Sequence, residues 1–360
     1  MLSDLTAPAP RLALVGLAKN TGKTETLAAL LRELQRAGRR VGVTSVGRDG
    51  EEHDVIDFRI GKPRVNLPAQ SLLASTDSLL SASGLPFELL QDTDIRTPLG
   101  RVLIVRLKGA GAVEVAGPSS AEQVREVADA MLASGADQVL IDGAIDRRAA
   151  SRPDVADALV MSTGAVLAPA IEDVVHLTRR AVELVRLPTP ARDSSLAGWL
   201  SAHEPPREAA LLSSELAVSE LPDRFVLRAD AQRIREMLAG NPGGRWLIVP
   251  GALPESFLGE LAVAARQARR QLTVVVADPT RVFLSGRDIG WYAAHGVDIV
   301  TIAPIALLAL TVNPVAPQSH TLDSGKLRRL LQDAIPDLPV FDVLHREYTG
   351  TLPAAPVPAH

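Results

Sequence analysis

The stretch from residue 11 to residue 37 constrains the fold more than any other part of this 360-residue chain. Residues 11–15, which are apolar from Leu12 onward, predict a buried β-strand, and residues 25–37 follow a helical pattern. A short loop that begins at Gly16 and includes Gly22 joins them. A buried strand that enters a helix through a tight loop is the first part of a βαβ unit, so a parallel sheet is expected.

Short apolar runs alternate with helical patterns along nearly the whole chain. This alternation is typical of an α/β protein with a mainly parallel sheet flanked by helices. Two of the runs, 101–107 and 112–116, flank Lys108 and a glycine-rich turn, so we predict a β-hairpin there. Further strands are predicted at 41–45, 138–141, 246–249, 272–277, 298–302 and 340–343, with another inside 158–167.

The length of the chain suits two domains better than one. Prolines 188, 190, 205 and 206 lie close together, with Ser, Asp and Gly residues between them. We therefore predict an N-terminal domain at 1–187, a linker at 188–206, a C-terminal α/β domain at 207–348 and a flexible tail at 349–360. The linker contains an apolar patch at 196–200 that would let it dock on a domain.

Composition excludes several classes of function. The chain has no cysteine, which rules out disulfides and thiolate chemistry and favours a cytoplasmic protein. A net charge of −4 argues against a nucleic-acid partner. The longest apolar run, 299–312, is interrupted by Pro304 and is shorter than the roughly 20 residues that span a bilayer, so no membrane partner is expected. The N-terminus shows no signal-peptide pattern.

The loop after the first strand carries the chemistry of a phosphate-binding loop. Gly22 allows the backbone N–H groups to approach an anion, Lys23 supplies a positive charge to the β- and γ-phosphates, and the Thr24 hydroxyl suits Mg²⁺. We expect the chain to bind ATP with Mg²⁺, although nothing in the sequence separates ATP from GTP. The predicted nucleotide-binding residues are Gly16, Lys19, Asn20, Thr21, Gly22, Lys23, Thr24 and Glu25.

Lys19 has two interpretations. It would contact phosphate, either in the same chain or across a homodimer, or it is a solvated loop lysine. Partitioning ATPases carry a signature lysine in a similar loop, but one position earlier relative to Gly-Lys-Thr.

A magnesium ion beside such a loop needs a carboxylate at the end of a neighbouring strand. Asp142 ends the apolar run 138–141 and is followed by Gly143, so it is the predicted metal-binding and catalytic partner of Lys23. The loop after the second predicted strand supplies Asp49 and Asp54, of which Asp49 is preferred as a second metal ligand, as a catalytic residue and as a switch residue. An acidic surface loop is the alternative there.

The loop spacing resembles that of dethiobiotin synthetase. Leu17 stands where the standard motif has its first glycine, and Gly16 lies one residue earlier, which gives Gly-x5-Gly-Lys-Thr. The segment around Asp142 is also similar to the synthetase segment Glu-Gly-Ala-Gly, with Asp142 in the place of the glutamate and Ile145 in the place of the second glycine. This resemblance implies an ATP-dependent ligase or kinase that acts on a small molecule.

A second resemblance spans most of the chain and rests on five segments, 16–24, 47–51, 97–100, 140–147 and 312–314. In these segments the chain resembles the P-loop reactivase subunit that is associated with two enzymes, lysine 5,6-aminomutase and ornithine aminomutase. Both enzymes depend on cobalamin and pyridoxal phosphate. This resemblance implies an ATPase that releases damaged cobalamin from an aminomutase, together with a MutS-like ATPase subunit. A nucleotide-dependent partitioning or metal-chaperone switch is a third possibility.

Overall fold

The computed structural model describes residues 1–46, 64–144, 148–317, 320–345 and 347–349. The chain divides into two compact units. The first combines Met1–Arg179 with Ala306–His360, and the second is Arg180–Ile305. Each unit has its own sheet.

The described strands alternate with helices along the chain, as the sequence predicts. In chain order they are β1 (Arg11–Gly16), β2 (Val41–Ser45), β3 (Val65–Leu67), β4 (Leu72–Thr76), β5 (Phe87–Thr97), β6 (Gly100–Leu107), β7 (Gly111–Val113), β8 (Gln138–Ala144), β9 (Ala158–Gly164), β10 (Ala210–Ser213), β11 (Val218–Glu220), β12 (Gly244–Val249), β13 (Leu253–Pro254), β14 (Leu272–Val276), β15 (Val282–Phe283), β16 (Val297–Thr301), β17 (Ala306–Asn313), β18 (Val340–Asp342) and β19 (Glu347–Thr349).

The described helices lie between these strands. They are α1 (Leu2–Thr6), α2 (Lys23–Arg36), α3 (Asp77–Ser83), α4 (Ala121–Ala133), α5 (Ile171–Val185), α6 (Ser195–Ala202), α7 (Phe225–Arg228), α8 (Ala231–Gly240), α9 (Glu255–Gln267), α10 (Ile289–Ala294) and α11 (Ser324–Ala334). Within the described ranges, short 3₁₀ helices cover Arg148–Ser151, Ala165–Leu167 and Pro279–Arg281.

The first unit is built on a ten-stranded sheet of order β19-β18-β17-β9-β1-β8-β2-β4-β6-β5. All the pairs from β18 to β4 are parallel, whereas β19, β6 and β5 join antiparallel at the two edges. The predicted α/β class with a mainly parallel sheet is therefore confirmed. Because β1, β9, β17, β8 and β2 all run parallel to one another, their carboxyl ends lie at the same sheet edge, which is the edge that contains Gly16.

Helix α2 packs on this sheet through one leucine face. Leu27, Leu30, Leu31 and Leu34 recur at helical spacing, and each is at most 2% exposed. Burial of a leucine side chain contributes roughly 1.5–3 kcal/mol. The start of α2 is therefore held against β1 by its hydrophobic face.

The second unit has a five-stranded sheet of order β11-β10-β12-β14-β16. Strands β12, β14 and β16 pair in parallel, and the β10–β11 hairpin adds antiparallel strands at one edge. The predicted linker region contains helix α6, whose Leu196 and Trp199 are buried with Trp246 and Ile248 of this sheet. The apolar patch of that region is therefore docked in the second unit.

The predicted hairpin between 101–107 and 112–116 is wrong. Strand β6 pairs with β4 and β5, whereas β7 pairs antiparallel with β3. The hairpin partner of β6 is β5, across a turn in which Thr97 faces Gly100. The glycine-rich turn at Lys108 thus leads out of the large sheet instead of back into it.

The two units do not follow the predicted boundaries at 187 and 207. Residues 306–349 contain β17, β18 and β19, which belong to the ten-stranded sheet of the first unit. Strand β17 pairs in parallel with β9, so the last part of the chain completes the first sheet. The second unit is an insertion between segments of the first.

Candidate functional site

Strand β1, a tight loop and helix α2 form one continuous structure at the carboxyl edge of the large sheet. Strand β1 ends at Gly16 and α2 begins at Lys23, two residues before the predicted helix start. Lys23 and Thr24 therefore lie in the first helical turn. The N–H groups of a first helical turn have no acceptor within the helix, and the helix dipole gives them a partial positive charge. This end of α2 favours an anion.

The 16–22 loop is closed by Thr21. Its side chain is 1% exposed, and its Oγ1 donates a hydrogen bond of 3.0 Å to the carbonyl oxygen of Ala18. A Cβ atom on Gly16 would lie 2.6 Å from this hydroxyl. Gly16 is therefore required for a close approach, and the Thr21 hydroxyl stabilises the loop through its bond to Ala18. The predicted role of Thr21 in nucleotide binding stays a prediction.

Two residues of the loop have left-handed backbone conformations. Gly22 has a φ of 90° and caps α2, and a Cβ atom there would also lie 2.8 Å from Cβ of Asn313. Asn20 has a φ of 65°, a conformation that asparagine tolerates better than most residues. Gly22 thus has both a conformational and a steric reason to be glycine.

The predicted pair Lys23 and Asp142 is brought together. Asp142 lies on β8 at the level of Leu14 of β1 and Ser45 of β2. The Lys23 Nζ is 2.7 Å from Asp142 Oδ1, and each side chain is about one-fifth exposed. Asp142 Oδ1 is buried and receives no aligned hydrogen bond from the described residues, so the charge of Lys23 is what stabilises it in this part of the chain.

The strand around Asp142 is longer than predicted. Strand β8 continues through Gly143 to Ala144, so the chain does not turn directly after Asp142. A Cβ atom on Gly143 would lie 2.3 Å from Cβ of Ala150. Gly143 is therefore explained by packing against the 3₁₀ helix Arg148–Ser151 and not by a turn.

Three buried hydroxyl groups lie under the start of α2, and the sequence analysis did not single them out. Thr26 Oγ1 is 2.7 Å from Thr311 Oγ1 and 3.1 Å from Ser162 Oγ, and these last two oxygens are 2.8 Å apart. We call Thr26, Ser162 and Thr311 the hydroxyl ring. Thr26 Oγ1 also lies 3.1 Å from the carbonyl oxygen of Gly22, to which it donates. The ring ties α2 to the strands β9 and β17.

The remaining predicted loop residues lie at the surface. Lys19, Asn20 and Glu25 are exposed, and Thr24 is half-buried in the first turn of α2. An acidic residue in the first turn of a helix is stabilised by the helix dipole, which accounts for Glu25 without a ligand. Their roles in nucleotide binding stay predictions.

The predicted switch loop lies outside the described residues. Asp49 and the alternative Asp54 both fall between 46 and 64. The last residue of strand β2, Ser45, lies beside Asp142 in the sheet register.

The segment after β7 crosses the carboxyl ends of β2 and β4. Ser75 Oγ donates to the carbonyl oxygen of Glu114 at 3.2 Å, and Ser45 Oγ donates to that of Val115 at 3.1 Å. Ser45 Oγ also accepts a hydrogen bond from the Gly117 N–H. This segment borders the same sheet edge as Asp142. In the sequence, the only sign of this contact is the pair of serines near the ends of β2 and β4.

Comparisons with protein-family models, with curated proteins and with solved structures find no match to this chain. None of the described helices has the length and hydrophobicity needed to cross a membrane. Within the described ranges, no three His, Asp or Glu side chains are grouped so that they could hold a metal ion by themselves.

Proposed function

We propose that the protein binds ATP with Mg²⁺ at residues 16–24, with Asp142 as the acidic partner. The observation that carries this proposal is the 2.7 Å ion pair between Lys23 and Asp142, at the point where β1 enters α2. A charged lysine at the start of a helix, beside a carboxylate on the adjacent strand, combines a phosphate-binding group with a metal-binding group.

The residues present fit a hydrated magnesium ion. Mg²⁺ prefers oxygen ligands and usually keeps several waters, so one carboxylate and one hydroxyl from the protein suffice. Asp142 Oδ1 is a buried acceptor without an aligned hydrogen bond among the described groups, and Thr24 supplies a hydroxyl. When bound, Mg²⁺ would neutralise phosphate charge. Lys23 would leave Asp142 and pair with the β- and γ-phosphates.

The first test compares two lysines. Lys23→Ala should lower the affinity for Mg-ATP by at least about 10-fold, because a hydrogen bond to a charged group contributes about 1.5–3 kcal/mol. Lys108→Ala is the matched control. Lys108 is exposed and directly follows the last residue of β6, and this end of β6 pairs with the start of β4. Equilibrium dialysis with labelled ATP measures both. Wild-type affinity in Lys23→Ala would refute the site.

For the reaction, we propose ATP hydrolysis in a reactivase subunit that serves a cobalamin-dependent aminomutase with a MutS-like ATPase partner. This proposal rests on the sequence resemblance described above. A reactivase should show weak basal hydrolysis that rises when inactivated aminomutase is added. A ligase or kinase of the dethiobiotin synthetase type should instead consume ATP only with a small-molecule substrate. ADP formation, measured under both conditions, distinguishes the two, because hydrolysis, ADP-forming ligation and phosphoryl transfer all produce ADP.

A further inference from the structure

The left-handed backbone of Asn20 is held by a hydrogen bond from outside the loop. Asn20 is exposed and has a left-handed backbone with a φ of 65°. Such a conformation is uncommon for a residue with a side chain, and it persists where neighbouring contacts hold it. The carbonyl group of Asn20 precedes Thr21 and Gly22, so its orientation helps to set the direction of the following N–H groups.

The supporting contact comes from Asn313. The Asn313 Nδ2 donates a 2.9 Å hydrogen bond to the carbonyl oxygen of Asn20, across 293 positions of sequence. Its Oδ1 accepts a 3.1 Å hydrogen bond from the N–H of Val315, which fixes the orientation of the amide group. The Cβ of Asn313 also lies against Gly22. One side chain thus touches both left-handed residues of the loop.

Asn313 is itself held by the sheet. It is the last residue of β17 and lies opposite Gly164 of β9. A Cβ atom on Gly164 would lie 2.1 Å from the carbonyl oxygen of Asn313, so the two backbones are in close contact. Two residues earlier on the same strand, Thr311 joins the hydroxyl ring under α2. The amide of Asn313 is therefore presented to the loop from a fixed position.

We propose that Asn313 is a positioning residue that holds the 16–22 loop in its anion-binding conformation. This inference rests on the proposed nucleotide site and deepens it. Asn313 acts through the carbonyl group of Asn20, and the affinity for phosphate depends on this contact.

The test uses the full-length chain with Mg-ATP as the probe. Asn313→Ala removes the amide donor, and we expect an affinity loss of about 3- to 10-fold, the usual range for one neutral hydrogen bond. Without nucleotide, amide hydrogen exchange in the 16–24 peptide should be faster in Asn313→Ala than in the wild type. Asn241→Ala is the matched control, because Asn241 Nδ2 donates a 2.9 Å bond to the carbonyl oxygen of Met237 in the second unit. This control should change neither readout.

The results for Asn313→Ala and Lys23→Ala together separate the role of Asn313 from the proposed nucleotide site. If Asn313→Ala retains both wild-type affinity and wild-type exchange while Lys23→Ala loses binding, the role of Asn313 is refuted and the nucleotide site stands. If the wild type does not bind Mg-ATP, the proposed function fails and this inference fails with it. If Asn313→Ala does not fold, Asn313→Ser replaces it, because its shorter side chain also fails to reach the carbonyl oxygen of Asn20.

Discussion

At the scale of single residues, the polar groups beneath the 16–22 loop are paired with one another and shielded from water. Thr26 and Ser162 are fully buried and Thr311 is 1% exposed. Buried hydroxyl groups are costly without partners. Thr26 donates to Gly22 and can only accept within the hydroxyl ring, so the protons of Ser162 and Thr311 serve the contacts inside the ring. Because Thr26 also donates to Gly22, this small cluster connects the loop to the core.

Thr26→Val tests the hydroxyl ring. The change keeps the shape of the side chain but leaves Ser162 and Thr311 with one partner fewer, so we expect a loss of about 1–3 kcal/mol in the free energy of unfolding. Thr321→Val is the control at an exposed site and should stay within about 0.5 kcal/mol of wild type. Urea unfolding followed by far-UV circular dichroism measures both. Equal effects of the two changes would contradict the role of the ring.

His345 provides a pH-dependent contact in the first unit. Its Nδ1 lies 2.7 Å from the buried Asp342 Oδ2, and this hydrogen bond and the carboxylate charge raise the pKa of His345 above 6.5. A raised pKa means that the contact stabilises the fold fully below pH 6.5. The stabilisation is lost as pH rises through the pKa of His345 in the folded protein.

An NMR titration of the His345 ring protons measures this shift. We expect a pKa above 6.5 in the wild type and a return toward 6.5 in Asp342→Asn, which removes the negative charge. A wild-type value at or below 6.5 would contradict the contact. So would an unchanged value in a folded Asp342→Asn protein.

At the scale of elements, the start of α9 is held by a carboxylate. Glu255 accepts hydrogen bonds from Ser285 Oγ and from the backbone N–H groups of Ser285, Gly286 and Arg287. Burial acts to raise the pKa of Glu255, but these hydrogen bonds outweigh it and lower the pKa to about 2. A depressed pKa stabilises the fold above about pH 4.5, and this contribution is lost as pH falls toward 2.

Glu255→Gln should therefore destabilise the second unit at neutral pH by about 1–3 kcal/mol, because a charged acceptor of several hydrogen bonds becomes neutral. The difference from wild type should shrink as pH is lowered from 4.5. The chain has three tryptophans, at 199, 246 and 291, and all lie in the second unit, so their fluorescence reports its unfolding. Glu260→Gln, an exposed position of the same helix, is the control. A smaller effect at 255 than at 260 would refute the role of Glu255.

Local elements could be predicted from the sequence and distant pairings could not. The 11–37 segment is predictable because strand, loop and helix follow one another directly. Lys23 is predictable because it belongs to the Gly-Lys-Thr loop, and Asp142 because it ends an apolar strand. The hairpin at Lys108 was wrong because two strand-like segments beside a turn do not reveal that β7 pairs with β3. The hydroxyl ring and Asn313 were missed because β9 and β17 meet only in three dimensions.

At the scale of the whole molecule, the first unit contains the two ends of the chain and the second unit is Arg180–Ile305. The predicted C-terminal domain, 207–348, would instead combine most of the second unit with β17, β18 and part of β19. In the structure β17 pairs with β9, so a fragment that contains β17 without β9 leaves a buried strand unpaired.

Expression of two fragments tests this division. Residues 180–305 should be soluble and unfold cooperatively, with buried tryptophan fluorescence, because the fragment keeps its five-stranded sheet and its core. Residues 207–348 should aggregate or lack a cooperative transition. The reverse result would favour the domain boundaries predicted from the sequence.

The central claim is that residues 16–24, together with Asp142, bind Mg-ATP. Amide hydrogen exchange of the wild-type protein with and without saturating Mg-ATP tests it most directly. We predict slower exchange in peptides that cover 16–26 and 138–144, and unchanged exchange in β12 of the second unit. Unchanged exchange at 16–26, or protection confined to other segments, would contradict the claim.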